Sequence, residues 1–115
     1  MKNLNNIRER YLKDGLPIRL GGLAANLARV SSTIKNPANL KVVNGLLEES
    51  KYFIEWTAIE AELETTVELV ELQIKLALWQ RSLDRIWDDE EKRLQIGQQA
   101  KDWSNEVLKY SGLLG

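Results

Sequence analysis

Cysteine and histidine are both missing from the 115 residues. Without cysteine there is no disulfide framework and no thiolate metal site. Without histidine the commonest general base and metal ligand is gone. Together the two absences remove Cys-His and Ser-His-Asp catalysis, zinc-finger sites and the Glu-x-x-His motif of di-iron bundles. Any catalysis would have to rest on carboxylates, Lys, Tyr or a borrowed cofactor, and no cofactor is expected. Long apolar runs are missing too. No segment approaches the roughly 18 uninterrupted apolar residues of a membrane span, and MKNLNNIRERYLKDG at the start has no apolar run of signal-peptide length. The expectation is a cytoplasmic protein with no membrane partner, folded as one domain over residues 1–115.

Proline is scarce, and both copies punctuate. Pro17 and Pro37 sit where helices begin, the position at which a missing N–H costs nothing. From there apolar spacing takes over. Leu16, Leu20, Leu23, Leu27, Val30 and Ile34 recur at 4-3-4-3-4 and mark one helical face, with Gly21, Ala25, Ala28 and Ser32 beside it as small residues that admit a close neighbour. In KNPAN, Asn36 reads as an N-cap for a second helix with Leu40, Val43, Leu47 and Ile54 on its inner face. That helix should end in a turn near residues 58–62. A third helix runs through LETTVELVELQIKLALWQRSLDRIW with two adjacent stripes, Leu63, Val67, Val70, Ile74, Ala77 and Leu69, Leu72, Leu76, Trp79, Leu83, Ile86. A stripe that wide predicts contact with two neighbours at once. Asp88 and Glu91 have capping-box spacing for a fourth helix carrying Ile96, Ala100, Trp103, Val107, Tyr110 and Leu114, with Gly112 as its C-terminal cap. Leu4, Ile7 and Tyr11 predict a short amphipathic helix ended by Gly15. Four periodic helices with short connections predict an all-α, antiparallel four-helix bundle with a short N-terminal helix.

The net charge of −1 hides an asymmetry: residues 1–41 carry +6 and residues 42–115 carry −7. An intramolecular match of basic and acidic faces is the expectation, with a charged partner as the alternative. Lys2, Arg8, Arg10, Lys13 and Arg19 form a basic N-terminal cluster, but a pI near 5.6 argues against a nucleic-acid partner.

Two sets of side chains stand out as candidate sites. Glu68 and Glu71 form a Glu-x-x-Glu that resembles half of the motif by which all-α nucleotide pyrophosphatases hold Mg²⁺. The other half, Glu-x-x-Asp, is missing, and both glutamates share the polar side of their helix with Glu64 and Lys75, so a solvated face is the better reading. The second set lies in EESKYFIEWTAIEAELE. At about 100° per residue Tyr52 and Trp56 project away from the core face of the second helix, alongside Glu49 and Ile59. An off-core aromatic pair either meets another molecule or is covered by the N-terminal helix through Leu4, Ile7 and Tyr11. Glu49, Tyr52, Trp56 and Ile59 are therefore the candidate partner-binding residues. Trp79, Trp87 and Trp103 read as packing residues.

Over about residues 16–114, at LLEESKYFIEWT, ELVELQ and WQR, the sequence resembles a family of small uncharacterised cyanobacterial proteins. The resemblance implies a small cytoplasmic helical protein and carries no activity, cofactor or site residue with it. The residues themselves favour a non-enzymatic helical protein–protein interaction module that self-associates or binds a protein partner. The alternative is a carboxylate-dependent Mg²⁺ enzyme of the all-α nucleotide pyrophosphatase type.

Overall fold

Pro17 and Pro37 do sit at element starts, and the elements they open set the frame. The computed structural model describes residues 4–112. Among them are the helices α1 (Leu4–Lys13), α2 (Leu16–Thr33), α3 (Leu40–Ala58), α4 (Leu63–Ile86) and α5 (Glu90–Ser111), with a 3₁₀ turn at Pro37–Asn39 and no strand. The chain is an all-α bundle. Leu114 lies outside the described residues.

Cross-helix hydrogen bonds give the directions. Asn26 on α2 donates to Glu49 on α3 at 3.1 Å, while Arg19, earlier on α2, reaches Trp56 and Glu60. Thr66 at the start of α4 meets Ala58 at the end of α3, and Gln80 further along α4 meets Glu48 earlier on α3. Ser104 on α5 donates to the Ala24 carbonyl at 2.7 Å, and Arg93, earlier on α5, donates to that of Ile34 at 2.9 Å. In each pair early residues meet late ones, so neighbours are antiparallel. The most extensive contact joins α2 to α5, and α3 and α4 complete the ring.

Helix boundaries follow local chemistry. Asn36 accepts from the Ala38 N–H at 2.9 Å and caps the 3₁₀ turn, which delays α3 to Leu40. Between α3 and α4 neither Gly nor Pro marks the break. Instead the Thr66 hydroxyl donates to the Ala58 and Ala61 carbonyls at 2.9 and 3.3 Å, satisfying acceptors that the end of α3 leaves open. The cap of α5 is Asp89, which accepts from the Lys92 N–H at 3.1 Å, one residue later than the Asp88–Glu91 spacing predicts. Gly112 closes α5 at φ 77° as expected of a C-terminal glycine.

The core holds Leu20, Leu23, Leu27, Val30 and Ile34 of α2 against Ile96, Ala100 and Val107 of α5, with Val43, Leu47 and Ile54 of α3 and Leu69, Leu72, Leu76 and Leu83 of α4. The small residues that admit close approach are not those expected. Ala25, Ala28 and Ser32 are exposed and Gly21 is half-buried, whereas between α2 and α5 Ser104 meets Ala24 and Gly97 meets Ser31 and Ile34. A Cβ on Gly97 would stand 2.7 Å from Cγ2 of Ile34, so at this crossing only glycine fits without displacement. Arg93 is buried beneath it. Its guanidinium donates to the carbonyls of Ile34 and Trp87 and lies 5.4 Å from the Trp87 ring centroid, while the Trp87 indole N–H donates to the Pro37 carbonyl at 2.7 Å. One cation thus ties the end of α2 to the turn between α4 and α5.

Candidate functional site

The off-core aromatics of α3 meet the N-terminal helix. Tyr11 of α1 stacks on Phe53 with ring centroids 4.1 Å apart and sits 5.9 Å from Trp56, which in turn stacks on Tyr52 at 5.6 Å. The Tyr11 hydroxyl donates to the Arg19 carbonyl at 2.8 Å and shares a hydrogen bond with Thr57 Oγ1 at 3.0 Å. Burial pushes this phenol up to about 12, against smaller lowering by Thr57 and the Arg19 charge. Arg19, itself buried, pairs with Glu60, one point at which the basic first part of the chain meets the acidic remainder.

Of the four expected partner-binding residues, the structure brings three together. Glu49, Tyr52 and Trp56 line an apolar cleft of about 230 Å³ with Leu4 and Ile7 of α1. All three are half-buried. Ile59 does not line that cleft; it is 90% exposed in the turn that leads into α4. The reading in which α1 covers the aromatic pair accounts for the half-burial of Tyr52 and Trp56, and Gly45 lines the same cleft.

A larger surface lies on α4. Its stripe of Leu69, Leu72, Leu76, Trp79 and Leu83 is buried in the core. Among the described residues no helix covers the other stripe. Leu63 is 79% exposed, Val67 50%, Val70 45%, Ile74 57% and Leu78 50%, the last replacing Ala77, which is half-buried. At about 100° per residue these five side chains point away from the core stripe by nearly half a turn, so α4 is apolar on two opposite faces. The expected contact with two neighbours is made, but by the inner side alone, where α3 and α5 both pack. Gln73 and Gln80 hydrogen-bond to Lys51 on α3, and Trp79 donates to Gln99 on α5 at 3.1 Å. Other exposed apolar residues, such as Ile18, Val42 and Leu94, stand singly and need no explanation.

The Glu68–Glu71 pair is divided by the fold. Glu71 is exposed, whereas Glu68 is half-buried and faces Tyr110 of α5, whose hydroxyl is pushed up to about 12, mainly by burial and then by the Glu68 and Glu106 carboxylates. Among the described residues no group of three or more Asp, Glu, His or Cys is placed to hold a metal ion, and no helix is long and apolar enough to cross a membrane. No family model, curated protein or solved structure matches the chain.

Proposed function

We propose that this protein is a non-enzymatic helical interaction module and that its contact surface is the outer face of α4. One observation carries the reading: five large apolar side chains stand in a line along one helix, on the side opposite the core, each between 45 and 79% exposed. From Leu63 to Leu78 that line is about 22 Å long at 1.5 Å per residue. A continuous apolar surface of this kind is costly to leave in water, and soluble chains keep one where a partner covers it. Isolated exposed leucines would carry no such meaning; it is their helical register that does. Tyr52 and Trp56 have a different part in this reading. They seat α1, and Glu49 belongs to that seat.

The test is Ile74→Asp. The side chain is mostly in water already, so the variant should keep its helical circular dichroism and cooperative unfolding while losing assembly, read as sedimentation mass or as recovery of a bound protein from cell extract. Unchanged mass together with unchanged recovery would refute the reading.

A further inference from the structure

The charges beside the outer stripe say what covers it. Beside it the first half of α4 carries Glu64 and Glu71, preceded by Glu62, and its second half carries Lys75, Arg81 and Arg85 with one acid, Asp84, while Glu68 faces Tyr110 and Glu60 is paired with Arg19. Arg81 falls in line with Leu63 and Ile74, and Arg85 beside it, so both bases extend the apolar line itself. Lys75, Arg81 and Arg85 are exposed, and among the described residues none of them forms an ion pair within its own chain. The helix is thus acidic at one end, apolar in the middle and basic at the other. Such a surface is complementary to itself reversed.

We infer that the outer face of α4 binds a second copy of this chain, α4 against α4 and antiparallel, across a two-fold axis at Val70 and Glu71. The inference rests on the reading that this face is the contact surface. A two-fold axis perpendicular to the helices lays Leu63 of one copy opposite Leu78 of the other and brings Arg81 to the end of the second copy that carries Glu62 and Glu64, twice over by symmetry. Opposite charges then close both ends of the apolar line. A parallel pairing would set Glu64, Glu71 and Arg81 each against its own counterpart, which is repulsive throughout. Two stripes about 22 Å long bury on the order of 1,000 Å² in total, at the lower bound for a specific interface, so the dimer is one that dissociates on dilution.

The absence of cysteine makes the orientation directly measurable, because a single introduced thiol has only its own counterpart in the second copy to join. Val70, Leu63 and Leu78 are all about half or more exposed, so cysteine at any of them leaves the core intact. Full-length wild type should sediment as a dimer near 1 mM and as a monomer near 1 µM, roughly the range that a weak interface spans. Under mild oxidation Val70→Cys should give a disulfide dimer. Leu63→Cys alone should not, but mixed with Leu78→Cys it should. Arg81→Glu/Arg85→Glu should weaken the dimer about tenfold or more at low salt, with the effect shrinking as salt screens it. Cross-linking of Leu63→Cys with itself as readily as Val70→Cys would establish a parallel pair and overturn the inference. So would a wild type that stays monomeric near 1 mM, well above the concentrations at which specific complexes form. In that last case Ile74→Asp separates the two claims: if it still abolishes recovery of a different protein, the outer face is a contact surface without a second copy, and if it changes nothing, both fall.

Discussion

Leu76 and Ile74 stand two positions apart on α4, and truncating each to alanine should have different consequences. Leu76 has no exposed surface and Ile74 is 57% exposed. Shortening Leu76 removes three carbons from the core, worth about 2.4 kcal/mol at about 0.8 kcal/mol per buried carbon, and the cavity left behind raises the range to about 2–5 kcal/mol. Shortening Ile74 removes the same number of carbons from a site already more than half in water. The transfer loss falls to about 1 kcal/mol, no cavity forms, and the better helix propensity of alanine returns a few tenths. Urea unfolding followed by circular dichroism measures both, with the slope of the transition checking that the unfolded state is unchanged. It should be done at two protein concentrations. The midpoint of the wild type should rise with concentration, because association stabilises the folded form by mass action, and Ile74→Ala should lose that dependence while Leu76→Ala retains it. A loss above about 2 kcal/mol for Ile74→Ala in dilute solution would place that side chain in a core and refute the two-faced description of α4.

At the crossing of α2 and α5, Gly97→Ala should destabilise by up to about 2 kcal/mol in thermal or denaturant unfolding, since overpacking costs about 1–3 kcal/mol and helix propensity returns about 1. A gain in stability would mean that Ile34 moves aside freely. Tyr11→Phe removes the buried hydrogen bonds to Arg19 and Thr57 and should cost about 1–3 kcal/mol at neutral pH. Because folding raises the Tyr11 phenol from 10 to about 12, its share of stability is whole below pH 10 and fades as pH rises through 12. The alkaline loss of the wild type should exceed that of Tyr11→Phe by up to about 2 kcal/mol, measured by unfolding from pH 9 to 12, and equal losses would place the phenol in water. Tyr52→Ala/Trp56→Ala should free α1, seen as faster amide hydrogen exchange over residues 4–13 with sedimentation mass unchanged; a fall in mass would return these rings to the contact surface.

Much of the bundle is legible in apolar spacing. The α2 line from Leu20 to Ile34, the buried α4 line and the proline and glycine boundaries all follow from helical period and backbone chemistry. The division of α4 is not legible, because period reports that a face is apolar and is silent on whether anything covers it. Its faces differ in that leucine and tryptophan fill the inner line as far as Leu83, whereas Val67, Val70 and Ile74 occupy the middle of the outer one and Arg81 falls in line with it. Arg19 and Arg93 are missed for a related reason. Their residue type suggests solvent, and what makes their burial tolerable is the Glu60 carboxylate and the Trp56 carbonyl at Arg19 and the converging carbonyls of Ile34 and Trp87 at Arg93. The break after Ala58 depends on a threonine eight residues later, which no local breaker signal announces. At the aromatic cluster the sequence leaves two outcomes open, and packing of Tyr11 onto Phe53 decides where α1 lies.

The principal partner of α2 is the last helix, and the hydrogen bond from Ser104 to Ala24 spans 80 residues. During synthesis that separation becomes a delay. At roughly 5–20 residues per second, α2 leaves the ribosome on the order of ten seconds before α5 is complete. Throughout that interval Leu20, Leu23, Leu27 and Val30 have only α3, and then α4, to shelter them. A nascent chain halted before Arg93 has no guanidinium to anchor the end of α2 and no Gly97 to admit Ile34, so it presents an open apolar trough to whatever is nearby. Of all single breaks in translation, one in the turn before α5 should therefore yield the product most dependent on chaperones.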